Sequence, residues 1–136
     1  MRRIQQFLQM LLLTILVSCN TTHQYPQAAD ALDAAREFID ASIKGDFEKA
    51  NAYMLQDEKN KQLLKEEEEK YRAKTNAQQK QLSESSLQNI SIEEVSAKET
   101  IVKFKNSIDK TGRKVKVISV NNTWLVDFKY SFNPNL

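Results

Sequence analysis

The alternation of Trp124, Val126, Phe128, Tyr130 and Phe132 with Leu125, Asp127, Lys129 and Ser131 constrains this chain more than any other feature. A period of two puts the aromatic and aliphatic set on one face of a strand and the polar set on the other. A face that apolar must be covered, and covering it fixes the neighbouring strands, because a one-residue slip would turn every side chain over. A two-residue turn at Asn121-Asn122 pairs Ser119 with Trp124, Val117 with Val126 and Val115 with Phe128. A turn across Asp109, Lys110, Thr111 and Gly112 then sets Phe104 beside Val117 and Val102 beside Ser119. Turning again at Lys98-Glu99 sets Val95 beside Val102. Ile92 and Ile90 stay on the same face only if one extra residue is accommodated, so a β-bulge is expected at Glu93-Glu94. The expected product is a four-stranded antiparallel meander, curved by its bulge.

The first half of the chain has the other period. After Pro26, a residue suited to a first helical turn, Ala28, Leu32, Ala35 and Ile39 recur at helical spacing, and Ala31, Phe38 and Ser42 widen that stripe. Gly45 is placed to end this helix in a left-handed conformation, and Asp46 to cap a short second one that turns Phe47, Ala50 and Met54 inward. A third helix is expected over residues 57–80, anchored by Leu63, Leu64 and Tyr71, with ion pairs from Glu66 to Lys70 and from Glu68 to Arg72. Residues 78–86 read as a polar linker. Consecutive helical residues point in different directions, so the run Glu66, Glu67, Glu68, Glu69 reads as a solvated face rather than a cation site. The fold class is therefore α+β, with three N-terminal helices packed on a curved four-stranded antiparallel sheet.

Ahead of this domain, Arg2 and Arg3 precede an apolar run that ends in Leu16-Val17-Ser18-Cys19. The run is shorter than the ~20 apolar residues a spanning helix requires, and its layout is that of a secretory signal. The last four residues resemble the lipobox of bacterial lipoproteins. That resemblance implies removal of residues 1–18 and acylation of Cys19, the chain's single cysteine. Several acyl chains on one residue hold a protein at a bilayer where one would not. Residues 19–25 then form a tether of ~20 to 25 Å at ~3.5 Å per residue, and residues 26–136 form the domain. The tether begins with Asn20 and lacks an acidic cluster, so the expected location is the bacterial cell envelope, on the outer membrane facing the periplasm. His23, the one histidine, falls in this tether and reads as solvated.

Charge excludes little but does exclude one class. Without residues 1–18 the 20 basic and 18 acidic side chains become 18 and 18, which is not the footprint of a nucleic-acid-binding protein. The same strand register gathers Lys103, Lys105, Lys114, Lys116 and Lys129 on the outer sheet face, with Glu94 beside Lys103, Lys105 beside Lys116, Lys116 beside Asp127 and Lys114 beside Lys129. Two readings of that face stay open: a surface for anionic head groups or an acidic envelope protein, or lysines that keep sheets from stacking.

The segment Ala34-Ala35-Arg36-Glu37-Phe38, followed by Lys44-Gly45-Asp46-Phe47-Glu48-Lys49-Ala50 and closed by Trp124-Leu125-Val126-Asp127, resembles bacterial lipoprotein domains of unknown function with the nuclear transport factor 2-like, or cystatin-like, fold. The resemblance spans residues 26–130 and implies a cone whose inside is lined by Phe104, Trp124, Val126, Phe128 and Tyr130. That cone either holds a small apolar ligand or is filled by helix side chains. Some members of the broad fold are isomerases or dehydratases with an aspartate or histidine base. Here the inward strand positions offer Ser119, Asn106 and Tyr130, and Asp127 faces outward. With two glycines, one histidine and one cysteine, the chain has no phosphate-cradling loop and no zinc set. The expectation is a non-catalytic, ligand-binding or structural domain with no cofactor and no metal. The alternative is a protein-interaction module of inhibitor or immunity type.

Overall fold

Asp30, rather than Pro26, opens the first helix. The computed structural model describes residues 24–132, so the apolar leader, Cys19 and His23 lie outside the described residues. Pro26 sits in an extended lead whose carbonyl accepts a hydrogen bond from the Tyr53 hydroxyl at 2.7 Å. Packing begins one residue before the expected boundary, with Tyr25 against the ring of Tyr53 at 6.4 Å between centroids. The Asp30 carboxylate accepts from the Asp33 amide, so a free donor of the first turn is satisfied where a proline would only have removed one.

Helix α1, Ala31–Lys44, buries Ala31, Ala34, Ala35, Phe38, Ile39 and Ala41, and its alanines let the axis approach the sheet closely. Gly45 ends it with φ of 79°. The Asp46 amide reaches back to the Ala41 carbonyl and the Gly45 amide to that of Ser42, the paired bonds of a Schellman stop. Asp46 caps α2, Phe47–Ala52. Beyond it the Tyr53 carbonyl accepts from the Val126 amide, and the Leu55 amide donates to the Val126 carbonyl, both at 2.9 Å. Met54 thereby bridges the outer edge of the last strand and covers backbone that would otherwise stand open.

The expected long third helix is two helices. Helix α3, Glu58–Arg72, starts on the Asp57 cap, and α4, Asn76–Ser83, restarts after a break. Thr75 and Gln78 form a reciprocal capping box, with the Thr75 hydroxyl accepting from the Gln78 amide and the Gln78 side chain accepting from that of Thr75. That local gain outweighs continuing the helix through a stretch with no apolar anchor, so much of the expected linker over residues 78–86 is helical. On α3, Glu68 pairs with Arg72 as expected, whereas Lys70 pairs with Glu67 at 2.6 Å in place of Glu66.

The sheet is an open, antiparallel meander in the order β1 Leu87–Ser96, β2 Glu99–Asn106, β3 Gly112–Val120 and β4 Thr123–Asp127. Asn121 and Asn122, both with positive φ, make the expected two-residue turn, and Val117 faces Val126 as expected. The β2–β3 pairing is displaced: Phe104 faces Arg113 and Val102 faces Val115, in place of Val117 and Ser119. The cause is Asn106, which is buried and ends β2 early. Its side chain accepts from the Ile108 amide and donates to Ser85, and its carbonyl accepts from the Lys110 amide, so the turn is centred on residues 107–111. The slip is even, and the apolar residues keep their face.

Curvature comes from two irregularities in β1, between Gln88 and Ser91 and between Glu94 and Ser96, in place of the single bulge expected at Glu93-Glu94. The turn into β2 falls at Ala97-Lys98, which shifts the extra residue to Val95. Ile92 therefore pairs with Val102, yet Ile92 and Val95 are half exposed because α1 packs over β2, β3 and β4. Phe38, Met54, Val102, Val117 and Val126 are the largest apolar side chains removed from water, each contributing roughly 1.5 to 3 kcal/mol.

Candidate functional site

A half-open cleft of about 900 Å³ lies where the β2–β3 hairpin runs out from beneath the helices. Phe38, Ile39 and Ile43 of α1 form one wall, Tyr71 and Leu82 of α3 and α4 a second, and Phe104, Val115 and Phe128 the sheet side. The sequence dictates this opening: helix α1 stops at Gly45, and β2 and β3 continue past it to a hairpin held by Asn106. At the mouth the Arg113 guanidinium takes both oxygens of Asp109, whose carboxyl it holds far below the usual carboxylate range. The cleft therefore contains two carboxylates that the strand pattern did not show, Glu67 on α3 and Asp109 in the hairpin, and each is ion-paired.

Of the five residues expected to line the cone, Phe104 and Phe128 do so. Val126 is sealed in the core with no exposure, and Trp124 packs half-buried beside Ser119 at the other end of the sheet. Tyr130 is on the opposite face: the Lys116 ammonium lies 4.7 Å and that of Lys114 5.3 Å from its ring centroid. The reason is that the strand stops at Asp127 and residues Phe128–Ser131 wind into a 3-10 turn, which breaks the alternation. Val115 consequently loses its expected partner Phe128, which stacks on Phe38 at 5.0 Å and on Phe132 at 5.1 Å. The helix residues of the cleft were visible in part, since Phe38 belongs to the widened α1 stripe. The four-residue spacing of Asp109 and Arg113 was the available signal for the mouth.

The lysine face exists with altered neighbours. Lys103 stands opposite Lys114 in register and is bonded to Glu93 at 2.6 Å, where Glu94 was expected; Lys105 faces Gly112, where Lys116 was expected. Hydrogen bonding to Lys103 holds the Glu93 carboxyl below its usual range. Lys116 does face Asp127, and its ammonium lies 3.7 Å from Glu99.

Because β4 ends at Asp127, Lys129 does not pair with Lys114. It bonds Asp57 and Asp127, each at 2.7 Å, in a cluster completed by Asn60. Asn60 is fully buried and donates to the Leu55 carbonyl, Asp57 and Asp127, while its oxygen accepts from the Lys129 amide at 2.7 Å. Burial disfavours the Asp57 carboxylate, but the bonds from Lys129 and Asn60 outweigh it and hold its carboxyl below the ordinary value. Burial likewise opposes the Lys129 charge, and Asp127 and Asp57 outweigh it and raise its pKa. Every polar atom named here has a partner, so the cluster welds α3 to the end of β4.

No protein-family model and no curated protein matches this sequence. Among the described residues there is no group of metal-ligating side chains, and no helix is long and apolar enough to cross a membrane.

Proposed function

We propose that this chain is a lipid-anchored protein of the bacterial cell envelope whose nuclear transport factor 2-like domain binds a small apolar ligand without chemistry. The observation that carries the reading is the cleft of about 900 Å³, within the usual range for small-molecule sites, whose walls include Ile43, Tyr71, Leu82 and Phe128 beside charged side chains. Four helices, the first of them packed across a curved, open four-stranded antiparallel sheet, are compatible with that fold. The anchor is supported by the order Leu16-Val17-Ser18-Cys19 after a basic start and an apolar run. Both cleft carboxylates hold a cation, which argues against either acting as a general base.

N-phenyl-1-naphthylamine, a neutral apolar fluorophore, should bind the mature chain saturably at one site. Ile43→Trp, which fills the cleft from α1, should abolish that binding while leaving the melting transition cooperative. Saturable binding that survives the filled cleft, or none at all, removes the ligand reading. Intact mass of the membrane-extracted protein tests the anchor separately, and a chain with an unmodified Cys19 removes it.

A second reading rests on Lys103 standing opposite Lys114 with Lys116 on the same face, a cluster of cations that an acidic partner would complement. It makes the outer sheet face a protein-docking surface of the inhibitor or immunity type.

A further inference from the structure

The charge around the cleft is unbalanced. Six cationic side chains line it against two acidic ones, and both acids are already engaged, Glu67 by Lys70 and Asp109 by Arg113. Lys103 is held by Glu93, and Lys114 lies over the Tyr130 ring. Lys74, just past the end of α3, and Lys105, near the end of β2, are exposed and hold no carboxylate among the described residues. Lys103, Lys105 and Lys114 have the strand parity opposite to Phe104 and Val115, and they meet the cleft at the hairpin end of β2 and β3.

Apolar walls beside uncompensated cations are complementary to one chemical class. We propose that the cleft takes a free amphipathic anion, with an acyl or aryl body on the half-buried Ile43, Tyr71 and Phe128 and an acidic head held by Lys74 and Lys105. This deepens the cleft reading above and rests on it. The topology favours capture from the aqueous side over extraction from a bilayer. Gln27, at the start of the described chain, is tied to the β3–β4 hairpin by bonds to the Asn122 carbonyl and the Thr123 hydroxyl. The cleft opens at the β2–β3 hairpin, which an antiparallel meander places at the opposite end of the sheet. The chain thus enters the domain at the end remote from the cleft mouth.

The test compares dodecanoate with dodecanol as competitors of N-phenyl-1-naphthylamine on the mature, unacylated chain. The two share a body and differ in the charge of the head. Dodecanoate should bind roughly fivefold more tightly at low salt, as expected for one or two exposed ion pairs, and the preference should shrink at high salt. Lys74→Gln with Lys105→Gln, both at exposed positions, should bring dodecanoate down to the affinity of dodecanol. Equal binding of acid and alcohol overturns the anion assignment and leaves the apolar cleft standing, whereas failure of both competitors overturns the two together. Phosphatidylglycerol vesicles should neither capture the chain nor displace the fluorophore. Vesicle capture that the double substitution abolishes would assign these lysines to a membrane surface and overturn the proposal.

Discussion

Gly45→Ala should cost about 2 to 4 kcal/mol of stability, a large effect for the addition of one methyl group. Two independent penalties meet at this residue. Its φ of 79° is a conformation in which an L side chain crowds the adjoining backbone, at about 1 to 2 kcal/mol. A Cβ there would also stand 2.5 Å from Cε1 and 2.7 Å from Cζ of Tyr71. Swinging the ring away would disturb its edge-on contact with Phe47 at 5.7 Å and the bond its hydroxyl donates to the Lys44 carbonyl. Urea unfolding of Gly45→Ala, Tyr71→Ala and the double variant separates the two penalties. In the Tyr71→Ala background the added methyl should cost only the backbone share, a coupling of about 1 to 2 kcal/mol. A Gly45→Ala protein within 0.5 kcal/mol of the parent would show that the helix stop and the ring do not constrain one another. Because Tyr71 also lines the cleft, the same variant should weaken fluorophore binding.

That glycine shows what a sequence can and cannot disclose. Its role as a helix stop was legible, since Lys44-Gly45-Asp46 joins an apolar-periodic run to a new cap. Its contact with Tyr71, 26 positions on, depends on how α3 crosses α1 and was not legible. The sheet divides the same way. The Asn121-Asn122 turn and the Val117–Val126 pair follow from local alternation, whereas the β2–β3 register turned on Asn106 bonding across its own turn. Alternation also ran past its physical end: Phe128, Tyr130 and Phe132 keep the period of two after the backbone has left the sheet, so Tyr130 was placed inside and lies outside. The capping box at Thr75 and Gln78 was present in the sequence and was hidden by the charged pattern running through it.

The cleft was legible only as a consequence of these elements. Its sheet side could be named from strand parity, and Phe104 does line it, but a cavity is decided by what the helices fail to fill. Here α1 covers the middle of the sheet with small residues, so Val126 and Phe104 are both buried while Phe128 is left half-buried at the cleft. Filled core and ligand pocket, the two readings of one aromatic stripe, thus both occur within it.

Asn60→Leu, which keeps the branching of the side chain and removes its polar atoms, should destabilise the protein by about 1 to 3 kcal/mol, the cost of one buried polar group left unsatisfied. The group stranded is the Lys129 amide, while the Leu55 carbonyl keeps the Asp57 amide and Asp57 and Asp127 each lose a donor and keep the Lys129 ammonium. Asn60→Asp tests the charge side of the cluster. It preserves the acceptor for the Lys129 amide and places a third carboxylate beside Asp57 and Asp127 around one ammonium, which raises the pKa of the introduced carboxyl in the folded state. A raised acid destabilises most where the unfolded group is ionised, so the deficit of Asn60→Asp against the parent should be largest near pH 7 and shrink as the pH falls toward about 5. The deficit of Asn60→Leu should stay flat over that interval. The parent's own titrations lie outside it. Asp57, held low, contributes stability that is present above its unfolded value of ~3.9 and lost as the pH falls through its folded one, and Lys129, held high, contributes below ~10.4 and loses that as the pH rises through its folded value. Chemical unfolding of the three proteins at pH 5, 6 and 7 reads the difference directly. Parallel deficits for the two variants would mean that the cluster stabilises through hydrogen-bond geometry alone, and that the charge balance around Lys129 contributes nothing to holding α3 on the sheet.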